Sequence, residues 1–225
     1  MDEMKSFMKE ALKEAEKAFE KGEVPVGAVL VHDGKIIARA HNEVESQRDA
    51  SAHAEMLCIK RGAHYLKNWR LEGATLYSTL EPCAMCAGAL LLSRIETLVW
   101  GAKDLRHGAD GSFIDLLSRK HPTHEIKVHS GVLQEESAAL MRSFFQKRRK
   151  ENSQQEELFD QLILSQQEKM LSCAKRIVPH VIQDDLLQPN DFPALENHPH
   201  FRYEEGILEG LLTARMAYLA KQSEG

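Results

Sequence analysis

Residues 74–101 read ATLYSTLEPCAMCAGALLLSRIETLVWG, and the fold class turns on them. Ala74–Thr79 is apolar and β-prone, Cys83–Ser93 is a run of Ala and Leu suited to a helix, and Thr97–Gly101 is again strand-like. Pro82 stands just before the helical run, where its missing N–H costs nothing, so Cys83 is expected to open that helix. A strand, a helix and a second strand in so short a span require a crossover, and hence a sheet covered by helices.

Upstream, Val24–Val31 and Lys35–Ala40 form two apolar strands joined through His32-Asp33-Gly34, a strong hairpin signal, so the sheet begins antiparallel. Before them Met8, Ala11, Leu12, Ala15 and Phe19 keep helical spacing, and Gly22 supplies the stop of a helix over about residues 2–21. Between hairpin and strand lie a polar loop, Asn42 to Ser51, and a helix over about residues 53–66. Downstream, a short helix is expected near Ser112–Ser118, a strand near Ile126–His129 and a long helix from about Glu135 to Lys150. The pattern is an α/β/α layered domain with a mixed sheet, over residues 1–152.

Glu151–Glu157 reads either as a linker or as the exposed face of a continuing helix. After it come two helical segments, about 156–177 and 202–221, around a Pro/Asn/Asp-rich loop. Their stripes, Leu158, Leu162 and Ile163 in one and Ile207, Leu208, Leu211, Leu212 and Ala214 in the other, suit a small helical hairpin in an extension over 153–225. That extension carries 6 Lys+Arg against 12 Asp+Glu, whereas residues 1–152 carry 23 against 22. Any nucleic-acid contact must therefore come from a local patch. One candidate is Met141–Lys150, with five bases, no acid and two aromatics; the other reading is a helix C-terminus with dipole-matched cations and phenylalanines in the core. With 43% hydrophobic and 28% charged residues the chain is an ordinary globular one, expected in the cytoplasm, with no membrane-length apolar run. Four cysteines are too sparse for a disulfide scaffold.

Two of them, Cys83 and Cys86, stand at i, i+3 and so face one side of the helix start, where the dipole favours thiolates. Alone they read equally as a metal half-site, a redox dithiol or buried small residues. Thirty residues earlier His53-Ala54-Glu55 also opens a helix, and His53 and Glu55 can share a pocket only from its first turn. Combined, the two motifs offer three zinc ligands, His53, Cys83 and Cys86, with one carboxylate beside them. Cys58 reads as core and His64 as solvated, so the fourth position stays open for water, which zinc brings to a pKa of about 7. Glu55 is then suited to carry that water's proton to a leaving group.

With these motifs and the runs Glu23–Val29, Ala52–Glu55, Thr79–Cys83, Ser93-Arg94-Ile95, Gly101–Asp104 and Gly108–Ser112, residues 4–150 closely resemble the bacterial tRNA-specific adenosine deaminases. These belong to the cytidine deaminase-like zinc superfamily, whose H-x-E…P-C-x-x-C pattern marks zinc deaminases of nucleobases. The resemblance implies a three-layer deaminase domain with one zinc per chain on His53, Cys83 and Cys86, and Glu55 as proton shuttle. It implies that Asn42 hydrogen-bonds a flipped base, that Val26 packs against it, and that Asp104 meets the ribose–phosphate of an anticodon loop. Phe144, Phe145, Arg148 and Arg149 would lie near the RNA on the terminal helix, in a homodimer. Where the family usually has Asp-Pro-Thr, this chain has Asp49-Ala50-Ser51. The implied reaction is conversion of adenosine to inosine at the tRNA wobble position. The rivals are deamination of a free nucleobase or nucleoside of the guanine or cytidine type, and a non-catalytic zinc-stabilised RNA-binding module.

Overall fold

The computed structural model describes residues 2–118, 124–187 and 192–223. The chain divides into two compact units, residues 1–146 and 147–225. In the first, α1 (Asp2–Glu20) precedes the hairpin β1 (Gly27–His32) and β2 (Lys35–His41), then α2 (Val44–Gln47) and α3 (Ala54–Leu66). β3 (Thr75–Leu80), α4 (Ala84–Leu92), β4 (Thr97–Ala102) and β5 (Lys127–His129) follow, and α5 (Gln134–Ile177) contributes to both units. The strand order is β2-β1-β3-β4-β5, with β1 antiparallel to both neighbours and β3, β4 and β5 mutually parallel. The expected mixed sheet is thus present. Asp33 and Gly34 take φ of 50° and 70°, the pair of positive values that a tight two-residue hairpin turn needs.

Both faces of the sheet are buried, and strand parity decides what each receives. Val29, Val31, Tyr77 and Val99 pack with Met8 and Ala11 of α1. Their neighbours Ala28, Leu30, Leu76, Leu98 and Trp100 pack on the other side with Ala54, Cys58, Leu90 and Leu91 of α3 and α4. Ser78 has the parity of Leu76, so it faces α3 and α4. The parallel β3 and β4 direct their C-terminal ends to the side where α3 and α4 begin, which places both helix starts at one edge.

Two expectations change and one open reading is decided. Asn42–Ser51 is not wholly irregular, because the Glu23 carboxylate accepts the N–H groups of Glu45 and Ser46 at 3.1 and 2.8 Å and supports the short α2. The helix expected near Ser112–Ser118 does not form. Phe113 and Ile114 donate their N–H groups back to Gly108 and Leu116 to Ala109, and Asp110 bridges Asp115, so the segment folds on itself. Glu151–Glu157 is helical, the second of the two readings, and α5 runs 44 residues.

In the second unit α5 pairs antiparallel with α7 (Pro199–Ser223) through Asp160 to Arg215, 2.9 Å, and Gln166 to Glu204, 2.7 Å. A 3₁₀ turn (Asp184–Leu187) and α6 (Pro193–Glu196) lie between them. The hairpin's core sits nearer its connection than the leucine stripes suggest. Met170, Cys173, Ala174, Val178, Val181, Leu195 and Phe201 fill it, while Leu158, Leu162 and Leu212 are exposed and only Leu208 of the expected stripes packs against it. No helix among the described residues is long and apolar enough to cross a membrane.

Candidate active site

His53 and Cys83 occupy equivalent places. Each is the N-cap of its helix, with extended backbone (ψ of 150° and 173°) and no capping hydrogen bond from its side chain, which leaves both side chains to turn toward the gap between α3 and α4. Cys83 thus precedes the first helical residue rather than being it. Cys86 follows one turn later and is buried. The three donor atoms form a near-equilateral triangle: His53 Nδ1 to Cys83 Sγ 3.7 Å, His53 Nδ1 to Cys86 Sγ 3.6 Å, and Sγ to Sγ 3.7 Å. Tetrahedral zinc, with bonds of about 2.3 Å to sulfur and about 2.0 Å to nitrogen, sets ligand separations of about 3.8 and 3.5 Å, so this donor set fits. Among the described residues it is the one His/Cys/carboxylate cluster with such spacing. Cys58 is buried, donates to the Ala28 carbonyl and has its thiol pushed up by burial; His64 is exposed.

The two site thiols divide a proton unequally. The hydrogen bond shared with Cys86 holds the Cys83 thiol down to about 3, against the opposing pull of burial and with further help from His53. The same bond, together with burial, pushes Cys86 up. The hydrogen bond with Cys83 raises His53, more than burial lowers it.

Glu55, in the first turn of α3, is 3% exposed. Its Oε1 accepts the Ser78 hydroxyl at 3.2 Å, while Oε2 is buried and has no hydrogen-bond partner among the described residues. Burial drives its pKa upward. A carboxyl with an unused oxygen beside the ligand triangle suits a group that takes and returns a proton. Ser78 escapes sequence reasoning, since a serine in a strand gives no local sign of serving a residue 23 positions away.

The remaining predicted residues fall in several places. Asn42 is buried, and its Oδ1 accepts the Ala54 N–H at 2.9 Å, supplying the start of α3 with the cap that His53 does not provide. Val26 is buried in the core beside Ala28 and Ala54. Asp104 uses Oδ1 to accept the N–H groups of Arg106 and His107 at 2.9 and 3.2 Å, which shapes its own turn. Phe144 packs edge-on against Phe19 with 5% exposure, so it is a core residue; Phe145, 41% exposed, is the aromatic left at the surface. Arg148 and Arg149 are exposed on α5 and belong to the second unit. Sequence reasoning also passes over Glu23 and Glu81, two buried carboxylates that bind loop backbone.

The MafB19-like deaminase family matches residues 1–149. The tRNA-specific adenosine deaminase of Bacillus subtilis is 58% identical over 130 residues, 58% of this chain and 81% of that protein. A solved chain from work on A-to-I editing by tRNA:A34 deaminases at the wobble position is 45% identical with a TM-score of 0.58, over 60% of this chain and 98% of that one. A guanine deaminase from Nitrosomonas europaea shares the fold at 24% identity and a TM-score of 0.53, over 62% of this chain and 83% of that one. By sequence and by fold, the chain belongs to the deaminase family of the tRNA-specific adenosine deaminases.

Proposed function

We propose that the protein converts adenosine to inosine at the wobble position of a tRNA anticodon, with one zinc ion per chain held by His53, Cys83 and Cys86. The observation that carries this reading is the buried, unpartnered Oε2 of Glu55 beside the ligand triangle. A purely structural metal site has no use for a buried carboxyl that is not a ligand, which weighs against a non-catalytic module. When bound, zinc supplies the Lewis acidity that makes water acidic enough to ionise near neutral pH.

Glu55 accepts a proton from the attacking water through Oε2 and passes it to N1 as the oxygen adds at C6; it then takes the proton of the new hydroxyl and delivers it to the 6-amino group, so that C6=O forms, the C6–N bond breaks and ammonia leaves. Burial raises the basicity of this carboxylate, which suits it to take a proton from the attacking water. Ser78 fixes the rotamer by donating to Oε1. Asn42, with its oxygen engaged by Ala54, has only its NH₂ hydrogens to offer a base, and Val26 closes the apolar wall beside it.

Asp104, Phe145, Arg148 and Arg149 meet the anticodon loop, while Phe144 supports Phe145 from the core at 5.4 Å. A tRNA substrate accords with a cytoplasmic place of action. The catalytic domain over 1–152 acts as a homodimer, a reading supported by the exposed apolar side chains Met85, Leu92, Leu105 and Phe113; residues 153–225 form an appended extension. Incubation with an unmodified anticodon stem-loop bearing A at the wobble position, read by sequencing as inosine, tests the proposal. No inosine from zinc-loaded protein refutes it.

A further inference from the structure

Glu81 directly precedes Pro82-Cys83, yet it is not one of the ligands and is 1% exposed. Among the described residues no Lys or Arg pairs with it. Its charge is met instead by three backbone N–H groups from one loop: Asp104 N to Oε2 at 3.2 Å, and Asp110 N and Ser112 N to Oε1 at 2.9 and 3.2 Å. The loop is also stitched to the ligand helix start. Gly108 bridges Cys83, and Ala109 N donates to the Pro82 carbonyl at 2.9 Å. At Gly108 the backbone lies so close that a Cβ would stand 2.4 Å from the Glu81 carboxyl carbon and 2.5 Å from the Asp104 carbonyl oxygen. A carboxylate buried under three amides and a glycine is an anchor whose geometry leaves little slack.

We propose that Glu81 is a positioning residue: it seats the Asp104–Ser112 loop against the Cys83 side of the site and thereby sets how tightly the RNA substrate is held. The inference rests on the wobble-adenosine reading above. Buried, with both carboxylate oxygens on loop amides, Glu81 acts on binding through Asp104 and the loop backbone, while the proton transfer stays with Glu55. An amide in its place has one oxygen. If that oxygen keeps the Asp110 and Ser112 N–H groups, its NH₂ confronts the Asp104 N–H, donor against donor, and the Asp104 end of the loop comes free.

The test uses the full chain with zinc in place and two variants that reach the anchor from opposite sides, Glu81→Gln from the carboxylate and Gly108→Ala from the loop. Both should keep one zinc per chain. Both should speed hydrogen exchange at the amides of residues 104, 110 and 112, and raise KM for the stem-loop by about tenfold or more, with kcat within about threefold. Because each breaks the same contact, the double variant should be no worse than the more severe single one. An unchanged KM in both variants overturns the proposal, and so does a kcat that falls in step with zinc content, which would make Glu81 a support of the ligands instead. Should Glu81→Gln fail to fold, Gly108→Ala decides by the same readings. Wild-type protein inert on the stem-loop would sink the wobble reading, whereas the exchange measurement, which needs no substrate, would still uphold or overturn the anchor.

Discussion

Replacing Glu55 with glutamine separates chemistry from architecture, because the substitution keeps shape and deletes only the capacity to carry a proton. The carbonyl of the introduced amide still accepts from Ser78, as Oε1 does at 3.2 Å, and the helix start of α3 is untouched. The variant gains a buried NH₂ lacking an assured partner, a cost of about 1–3 kcal/mol, but it no longer buries a carboxyl whose ionised form is disfavoured by its surroundings. The two effects offset, so stability should shift by less than about 1 kcal/mol, or about 2–4 °C in Tm. Activity should fall by about 10²–10⁴, which adds about 3–5 kcal/mol to the barrier, the ordinary contribution of a general acid–base group. The assay is single-turnover inosine formation on the stem-loop, alongside zinc content by elemental analysis and a melting curve. Turnover within about threefold of wild type would refute the proton-shuttle role; loss of zinc would show that Glu55 supports the metal ligands.

Paired substitution of Cys83 and Cys86 by Ser should abolish zinc binding, checked by elemental analysis after dialysis, since two of three donors are lost. Glu14→Gln probes the contact of α1 with the end of β2. Burial works against the Glu14 charge, but hydrogen bonds from Lys17 at 2.7 Å and His41 at 3.2 Å outweigh it and hold the carboxyl below its ordinary 4.5. A lowered folded pKa contributes stability that is present above the unfolded value and lost as pH falls through the folded one. The variant should therefore be about 1–3 kcal/mol less stable at pH 7, and the gap should close in melts taken below about pH 4. Charge reversal at Arg148 and Arg149 should weaken stem-loop binding and lower the slope of log K against log salt by about 2, measured by titration over a salt series. A chain shortened to end at Asn152 should stay folded, keep zinc and deaminate the stem-loop within about tenfold of full length, allowing for newly exposed apolar surface; a soluble, zinc-loaded but inactive product would give the extension a part in substrate recognition.

What the sequence discloses depends on the range of the interaction behind each feature. The hairpin is legible because Asp33-Gly34 encodes its own turn, and the candidate ligand set because His53 and Cys83 each cap a helix start marked by local pattern, with Cys86 one turn on. The segment after Gly111 misleads because Phe113, Ile114, Leu116 and Leu117 have helical apolar spacing. Backbone bonds to Gly108 and Ala109, and the Ser112 N–H given to Glu81, divert the N–H groups that a helix would need. The continuous α5 is ambiguous in sequence, since a polar run looks alike in a linker and on a solvated helix face. Glu23, Ser78 and Glu81 escape notice because their partners lie more than twenty residues away, and nothing in the neighbouring sequence distinguishes a glutamate that binds backbone from one that meets solvent.

The bond from the Ala54 N–H to Asn42 Oδ1 makes the Asn42 amide directional. A free asparagine can turn either end toward a ligand, but here the oxygen is committed to the helix, and a flip would set N–H against N–H. In the proposed reading the NH₂ is then the end turned to the base, and it meets an acceptor there. An aspartate at this position would satisfy the same helix amide and meet the base with a second acceptor, so the fold would stand while the substrate was refused. In that reading two demands that commonly compete for one residue, folding and selectivity, are borne by different atoms of a single side chain.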